Sequence, residues 1–155
     1  MRLGVIIFDL DGTLVDSADG IQMSVDRAVQ QVFEGRVAPD IRSRIGPPIR
    51  RIFSQSLQIE DEDVLTKLEQ QFRFAYDSDG WKKTALYPGL TETLKELTTL
   101  GLKMFVLTNK PGAITGQILH SLSIADQFVE VLSLDSMASR PTSKAEAAGF
   151  LSQKY

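Results

Sequence analysis

Apolar and polar positions change their period several times along this chain, and each change marks an element. An apolar run from Leu3 through Phe8 (LGVIIF) stops abruptly at Asp9 and Asp11, and Gly12 follows at once. Such a run, rich in Val and Ile and bounded by a turn signal, predicts a strand buried on both faces of a parallel sheet. If strand geometry persists through position 11, Asp9 and Asp11 project to one side and Leu10 to the other. The period then becomes helical. Ile21, Val25, Ala28, Val29 and Val32 form one apolar stripe, with Asp16 or Ser17 as its cap and Gly35 as its end. A short helix is expected after Pro39, a break at Gly46, Pro47 and Pro48, and a helix from Ile49 to Leu57. A longer helix begins near Glu60 to Asp63, its acidic start suited to the helix dipole, with Val64, Leu65, Leu68, Phe72, Ala75 and Tyr76 on one side.

The span from 16 to about 84 is thus helical throughout, inside a chain that otherwise alternates strand and helix. It reads as an inserted lobe. Tyr87, Pro88 and Gly89 mark the return. Leu90, Leu94, Leu97 and Leu100 make a helical stripe stopped by Gly101. Lys103 to Leu107 is a second buried strand, ending in Thr108 and Asn109. Pro111 and Gly112 open a helix with Ile114, Ile118, Leu119 and Leu122 facing inward. Phe128 to Leu132 is a third strand, and Ser143 with Glu146 has capping-box spacing for a last helix from about Lys144 toward Tyr155. This order predicts an α/β fold with a parallel sheet, whose ligands gather beyond the carboxyl ends of the strands.

Composition narrows the function classes. At 155 residues the chain suits one compact domain, or a small core with an inserted lobe. A net charge of -3 argues against nucleic acid as the main partner, a role that brings a basic stripe. Cysteine is absent, which excludes disulfides, thiol catalysis and thiolate metal sites and fits a reducing cytoplasm. No stretch is long and apolar enough to span a bilayer, so no membrane partner is expected. With a single histidine, His120, multi-histidine metal sites are impossible.

Three groups fall on or near the predicted carboxyl edge: Asp9 with Asp11, Thr108 with Asn109, and Lys144. Two like charges at the end of a buried strand are unfavourable unless neutralised, and a hard divalent cation with oxygen ligands would do this. Thr and Asn can hydrogen-bond phosphate oxygens, the following helix start presents free amide donors, and lysine adds a point charge. An aspartate can attack phosphorus while a second carboxylate moves the proton. Ordinary structural readings stand beside these: a solvated turn for the acids, a helix cap for Thr108 and Asn109, an exposed first-turn residue for Lys144. Arg140, next to Pro141, competes with Lys144. Among Arg36, Arg42, Arg44, Arg50 and Arg51, Arg50 is the candidate to draw a phosphorylated substrate, because it follows the Gly-Pro-Pro loop.

The segment Phe8 to Ser17 (FDLDGTLVDS) resembles the first signature of the haloacid dehalogenase-like superfamily, in its phosphatase branch. Val106 to Pro111 (VLTNKP) resembles the second, and Lys144 is the candidate for the third. Gly46-Pro47-Pro48 is similar to the cap loop of phosphoglycolate phosphatase-like members. The resemblance covers essentially the whole chain. It implies a Rossmann-like core over 1–15 and 85–155, incomplete at its carboxyl end, and an all-helical cap over 16–84. It implies a magnesium-dependent phosphatase of small phosphorylated metabolites, working through an aspartyl-phosphate. Asp9 would be nucleophile and metal ligand. Asp11 would be general acid and base, with its carbonyl on the Mg2+, and its presence argues against dehalogenation. Thr108, Asn109 and Gly12 would hold the phosphoryl group, with Arg50 on the substrate and Lys144 balancing charge.

The family's fourth signature, a Gly-Asp followed by further acids, has no counterpart before Tyr155. Asp135 matches no motif. The expectation is therefore an amino-terminal part of a phosphatase with weak or absent turnover, and with Leu3 to Phe8 as an open apolar edge through which copies could associate. A phosphomutase is the near variant. A non-catalytic fragment or binding module of the same fold is the alternative.

Overall fold

The structure, a computed structural model, describes residues 4–133, 135 and 144–154. The chain divides into two compact units, Met1–Asp16 with Ala85–Tyr155, and Ser17–Thr84.

The first unit is α/β. Its parallel sheet has the order β1 (Val5–Phe8), β4 (Lys103–Thr108), β5 (Glu130–Ser133). Phe8 is in register with Val106, and Thr108 with Ser133, so Asp9, Thr108 and Ser133 reach the same carboxyl edge. Strand β4, flanked on both sides, is buried from Met104 through Thr108. By contrast, β1 is not buried on both faces: Val5 is 40% exposed and Ile6 to Phe8 are half-buried. The reason is position, since among the described residues β1 pairs only with β4. Phe8 partly covers itself by an edge-to-face contact with Phe128, 6.2 Å between ring centres.

A feature without a sequence signal is the two-residue antiparallel ribbon of β2 (Val15–Asp16) and β3 (Ala85–Leu86), where the chain leaves this unit and returns to it. Helices α4 (Leu90–Thr99), α5 (Gly112–Ser121) and α6 (Lys144–Lys154) follow the expected order. Leu94, Ile114, Ile118, Leu119, Ala147 and Leu151 are buried. Leu100 is not part of the buried stripe; it is 73% exposed. Helix α4 closes there with bonds from the Gly101 N–H to Thr98 O and from the Leu102 N–H to Leu97 O. This reversal needs the left-handed φ of +73° at Gly101, and it leaves Leu100 outside.

The second unit is helical: α1 (Ala18–Val32), α2 (Ile49–Leu57), α3 (Glu62–Ser78), and 3-10 turns at Arg42–Arg44 and Gly80–Lys83. Ile21, Val25, Ala28 and Val29 of α1 are buried, as are Leu65, Leu68, Phe72, Ala75 and Tyr76 of α3. Phe72 meets Phe53 of α2 edge-on and stacks on Tyr76. The Asp61 carboxylate caps α3, accepting from the Asp63 and Val64 amides. Among the described residues no helix is long and apolar enough to cross a membrane.

Candidate active site

Strand geometry ends at Phe8, so the acids do not lie on a continued strand; they occupy a tight turn built around Leu10. The Leu10 side chain is fully buried, and its carbonyl accepts from the amides of Thr13, Leu14 and Val15. Gly12 sits at φ +79°, a left-handed conformation that glycine adopts without strain, and donates its N–H to Val15 O at 2.9 Å. With Leu10 and Leu14 anchored, Asp9 and Asp11 stay partly exposed at the carboxyl edge.

Each carboxylate is met by a lysine. The Asp9 Oδ1 accepts the Leu10 N–H at 2.7 Å, and the Lys144 Nζ at the start of α6 stands 2.6 Å from Oδ2. The Lys110 Nζ stands 3.3 Å from Asp11 Oδ1. These pairs differ in their access to water. The Asp9 and Lys144 side chains are 35% and 31% exposed, whereas those of Asp11 and Lys110 are 14% and 7% exposed. Lys110 drew no role from the sequence. Its one available signal was adjacency to Thr108 and Asn109 at a strand's carboxyl end.

Thr108 is buried at the end of β4, and its Oγ1 accepts the Lys110 amide at 3.1 Å; Asn109, next in the chain, is half-buried. The helix start that follows does not offer its first amide. Pro111 has no N–H, and that of Gly112 donates to Asp135 Oδ1 at 3.2 Å. Asp135 thus ties the segment after β5 to the start of α5. Arg140, the competitor of Lys144, lies outside the described residues, as do Pro141 and Ser143.

Arg50 belongs to the helical unit, where it clasps α3. Its guanidinium donates to the Glu62 carboxylate, to Glu62 O and Thr66 Oγ1 at 3.2 Å, and to Glu69 Oε2 at 3.5 Å. The hydrogen bond to Glu62 leads in holding its pKa above the ordinary arginine value.

The sequence profile of a family described as haloacid dehalogenase-like hydrolase matches residues 6–147. A phosphoglycolate phosphatase of Vibrio vulnificus is 37% identical over 143 residues, covering 87% of this chain. One from Vibrio parahaemolyticus is 35% identical over 159 residues, covering 97% of this chain and 69% of its own length. The chain spans 63% of the length of the Vibrio vulnificus relative. Among solved structures, a predicted phosphoglycolate phosphatase from Haemophilus somnus superposes with a TM-score of 0.79 at 27% identity, over 99% of this chain and 72% of its own. An acid pair after the first strand of a parallel sheet, a Thr-Asn pair after its neighbour, and this match along nearly the whole chain lead to one conclusion: the chain belongs to the haloacid dehalogenase-like hydrolase family.

Proposed function

We propose that this chain carries the chemistry of a magnesium-dependent phosphatase of small phosphorylated metabolites, of the phosphoglycolate phosphatase kind. The observation that carries this reading is Asp9, a third exposed beyond β1, with the Lys144 ammonium 2.6 Å from its Oδ2. A nucleophile needs access, and a phosphoryl group brought to it needs its charge balanced.

In the first step an Asp9 carboxylate oxygen attacks phosphorus. The bond from phosphorus to the leaving oxygen breaks, and Asp11, protonated, gives that oxygen its proton, releasing an alcohol. Asp11, now a carboxylate, takes a proton from water as the water oxygen attacks the aspartyl-phosphate. The bond to Asp9 breaks, inorganic phosphate leaves, and both acids return to their starting state. Lys144 offsets charge on the phosphoryl oxygens. Thr108, Asn109 and Gly12 orient them, the Thr108 hydroxyl keeping its proton to donate because its oxygen is the acceptor for Lys110.

The donor set suits magnesium. Asp9 through its carboxylate and Asp11 through its backbone carbonyl would be hard oxygen ligands, and this ion commonly takes one or two carboxylates with waters and phosphate oxygens. Among the described residues no group of three acidic or histidine side chains converges on a metal position. When bound, the ion supplies charge neutralisation between the phosphate and the attacking carboxylate. In this reading the helical unit Ser17–Thr84 is the cap that selects substrate. Arg50 would have to exchange its α3 partners to serve there. The absence of cysteine fits a cytoplasmic setting.

The test is fluoride trapping on the 155-residue chain. With magnesium and beryllium fluoride, a 19F resonance from an Asp9 adduct is expected, and Asp9→Asn abolishes it. A wild-type chain that forms no adduct at saturating magnesium removes the proposal.

A further inference from the structure

Lys110 lies against the turn that carries Asp11, and its surroundings fix it from three directions. Its amide donates to the Oγ1 of Thr108, which is 1% exposed. Its carbonyl accepts from the Oγ1 of Thr115, fully buried on α5, at 3.4 Å. Its ammonium crosses from the loop after β4 to the turn after β1 and stands 3.3 Å from Asp11 Oδ1. A lysine ammonium whose side chain is only 7% exposed is costly to bury unless it is hydrogen-bonded, and Asp11 Oδ1 is placed to accept from it whether or not the other Asp11 oxygen carries a proton. The contrast with Lys144 separates the two lysines. Lys144, about a third exposed, can exchange Asp9 for an arriving anion; Lys110 has its backbone held by two buried threonines and has little access to water.

We propose that Lys110 is a positioning residue. Its ammonium fixes the Asp11 carboxyl group in the orientation from which Asp11 delivers its proton to the leaving oxygen. This rests on the reading of Asp11 as the general acid. Lys110 itself transfers nothing and forms no bond to substrate. Its effect is geometric, and displacement of a reacting group by about 1 Å is enough to lose on the order of 10²-fold in rate.

The experiment compares the wild-type chain with Lys110→Met. In crystals of both, Met at 110 is expected to let the Asp11 carboxyl group move by more than about 0.5 Å, the tolerance of a productive constellation, while Leu10 and Leu14 stay in place. In kinetics, kcat/KM reports the steps through departure of the leaving group. For 2-phosphoglycolate, whose alkoxide must be protonated, it should fall by on the order of 10²-fold. For 4-nitrophenyl phosphate, whose phenolate leaves without a proton, it should change by less than about threefold, because little of the acid contribution is used there. In an Asp11→Asn background the Lys110→Met change should have almost no further effect on 2-phosphoglycolate.

An unmoved Asp11 overturns the proposal. So does an equal loss on both substrates, or an additive loss in the double variant. Where Met at 110 prevents folding, Lys110→Gln, which keeps a polar tip, is read in the same way. If the wild-type chain neither traps fluoride nor turns over, the phosphatase reading has failed on its own, and the crystal comparison decides the positioning claim by itself.

Discussion

Replacing Gly20 by alanine should destabilise the protein, although the residue lies inside a helix where alanine is ordinarily preferred. A Cβ at Gly20 of α1 would lie 2.1 Å from the carbonyl oxygen of Gly80 and 3.0 Å from its carbonyl carbon. Normal van der Waals separation is roughly 3.5 Å, so the two segments would have to part by on the order of 1 Å. The obstacle is main chain, which has no rotamer to escape into. The reciprocal site is crowded chiefly by side chains, since a Cβ at Gly80 would meet Ser24 Oγ at 2.4 Å and Tyr76 Cδ2 at 2.7 Å, with Gly20 O at 3.0 Å. Overpacking of this kind costs about 1–3 kcal/mol, and a backbone clash belongs at the upper end. Helix propensity returns about 1 kcal/mol. The expected net loss is about 2 kcal/mol.

The control is Gly116 on α5, which is exposed and where an added methyl group would meet nothing within 4 Å. There the propensity gain stands alone, so Gly116→Ala should stabilise by about 0.5–1 kcal/mol. Urea unfolding followed by circular dichroism reads both variants against the wild type. Since a chain of this size shifts its Tm by about 2–4 °C per kcal/mol, thermal melts should move in opposite directions. A Gly20→Ala protein as stable as the wild type would refute the reasoning, because it would mean that α1 and the Gly80 turn are not in backbone contact.

Two further outcomes concern the helical unit. Gln22 is 5% exposed; its Nε2 donates to Asp26 Oδ1 and Pro39 O, and its Oε1 accepts the buried Ile41 N–H at 2.8 Å. Gln22→Ala should therefore cost about 1–3 kcal/mol in urea unfolding, by leaving that amide without an acceptor; a loss within a few tenths would contradict the burial. The Asp79 pKa is held below its ordinary 3.8, first by the Arg27 hydrogen bond and then by Lys82. A lowered carboxylate pKa adds stability that is complete above the unfolded value and fades as pH falls through the folded one. The Tm advantage of wild type over Asp79→Asn should thus be constant near neutrality and shrink below about pH 4; an advantage that grows on acidification would show the sign to be wrong.

Much of this architecture was legible in the sequence because its determinants are local. A helix announces itself wherever side chains three and four apart are apolar, and α2 runs over Ile49–Leu57 as its pattern predicts. The acidic start of α3 near Glu60 to Asp63 and the termination at Gly101 follow from carboxylates suited to the amino end of a helix and from a residue tolerant of positive φ. The acids after β1 were visible because charge at the end of an apolar run is expensive. Leu100 misled because periodicity does not record where a helix closes, and β1 because an apolar run looks the same at the edge of a sheet as at its centre.

Sequence by itself determined most of the helices and the three strands of the parallel sheet, and where the acids, the Thr-Asn pair and the lysines fall along the chain, since these depend on covalent identity and on neighbours a few residues away. Only the tertiary structure decided which charges meet. That Lys144 stands on Asp9, Lys110 on Asp11, and Asp135 on the Gly112 amide depends on parallel strands whose partners lie far apart along the chain. The closeness of Gly20 to Gly80 is of the same kind. Contacts between distant segments depend on how elements pack, and packing distributes its constraints over many residues, so no single stretch of sequence encodes them.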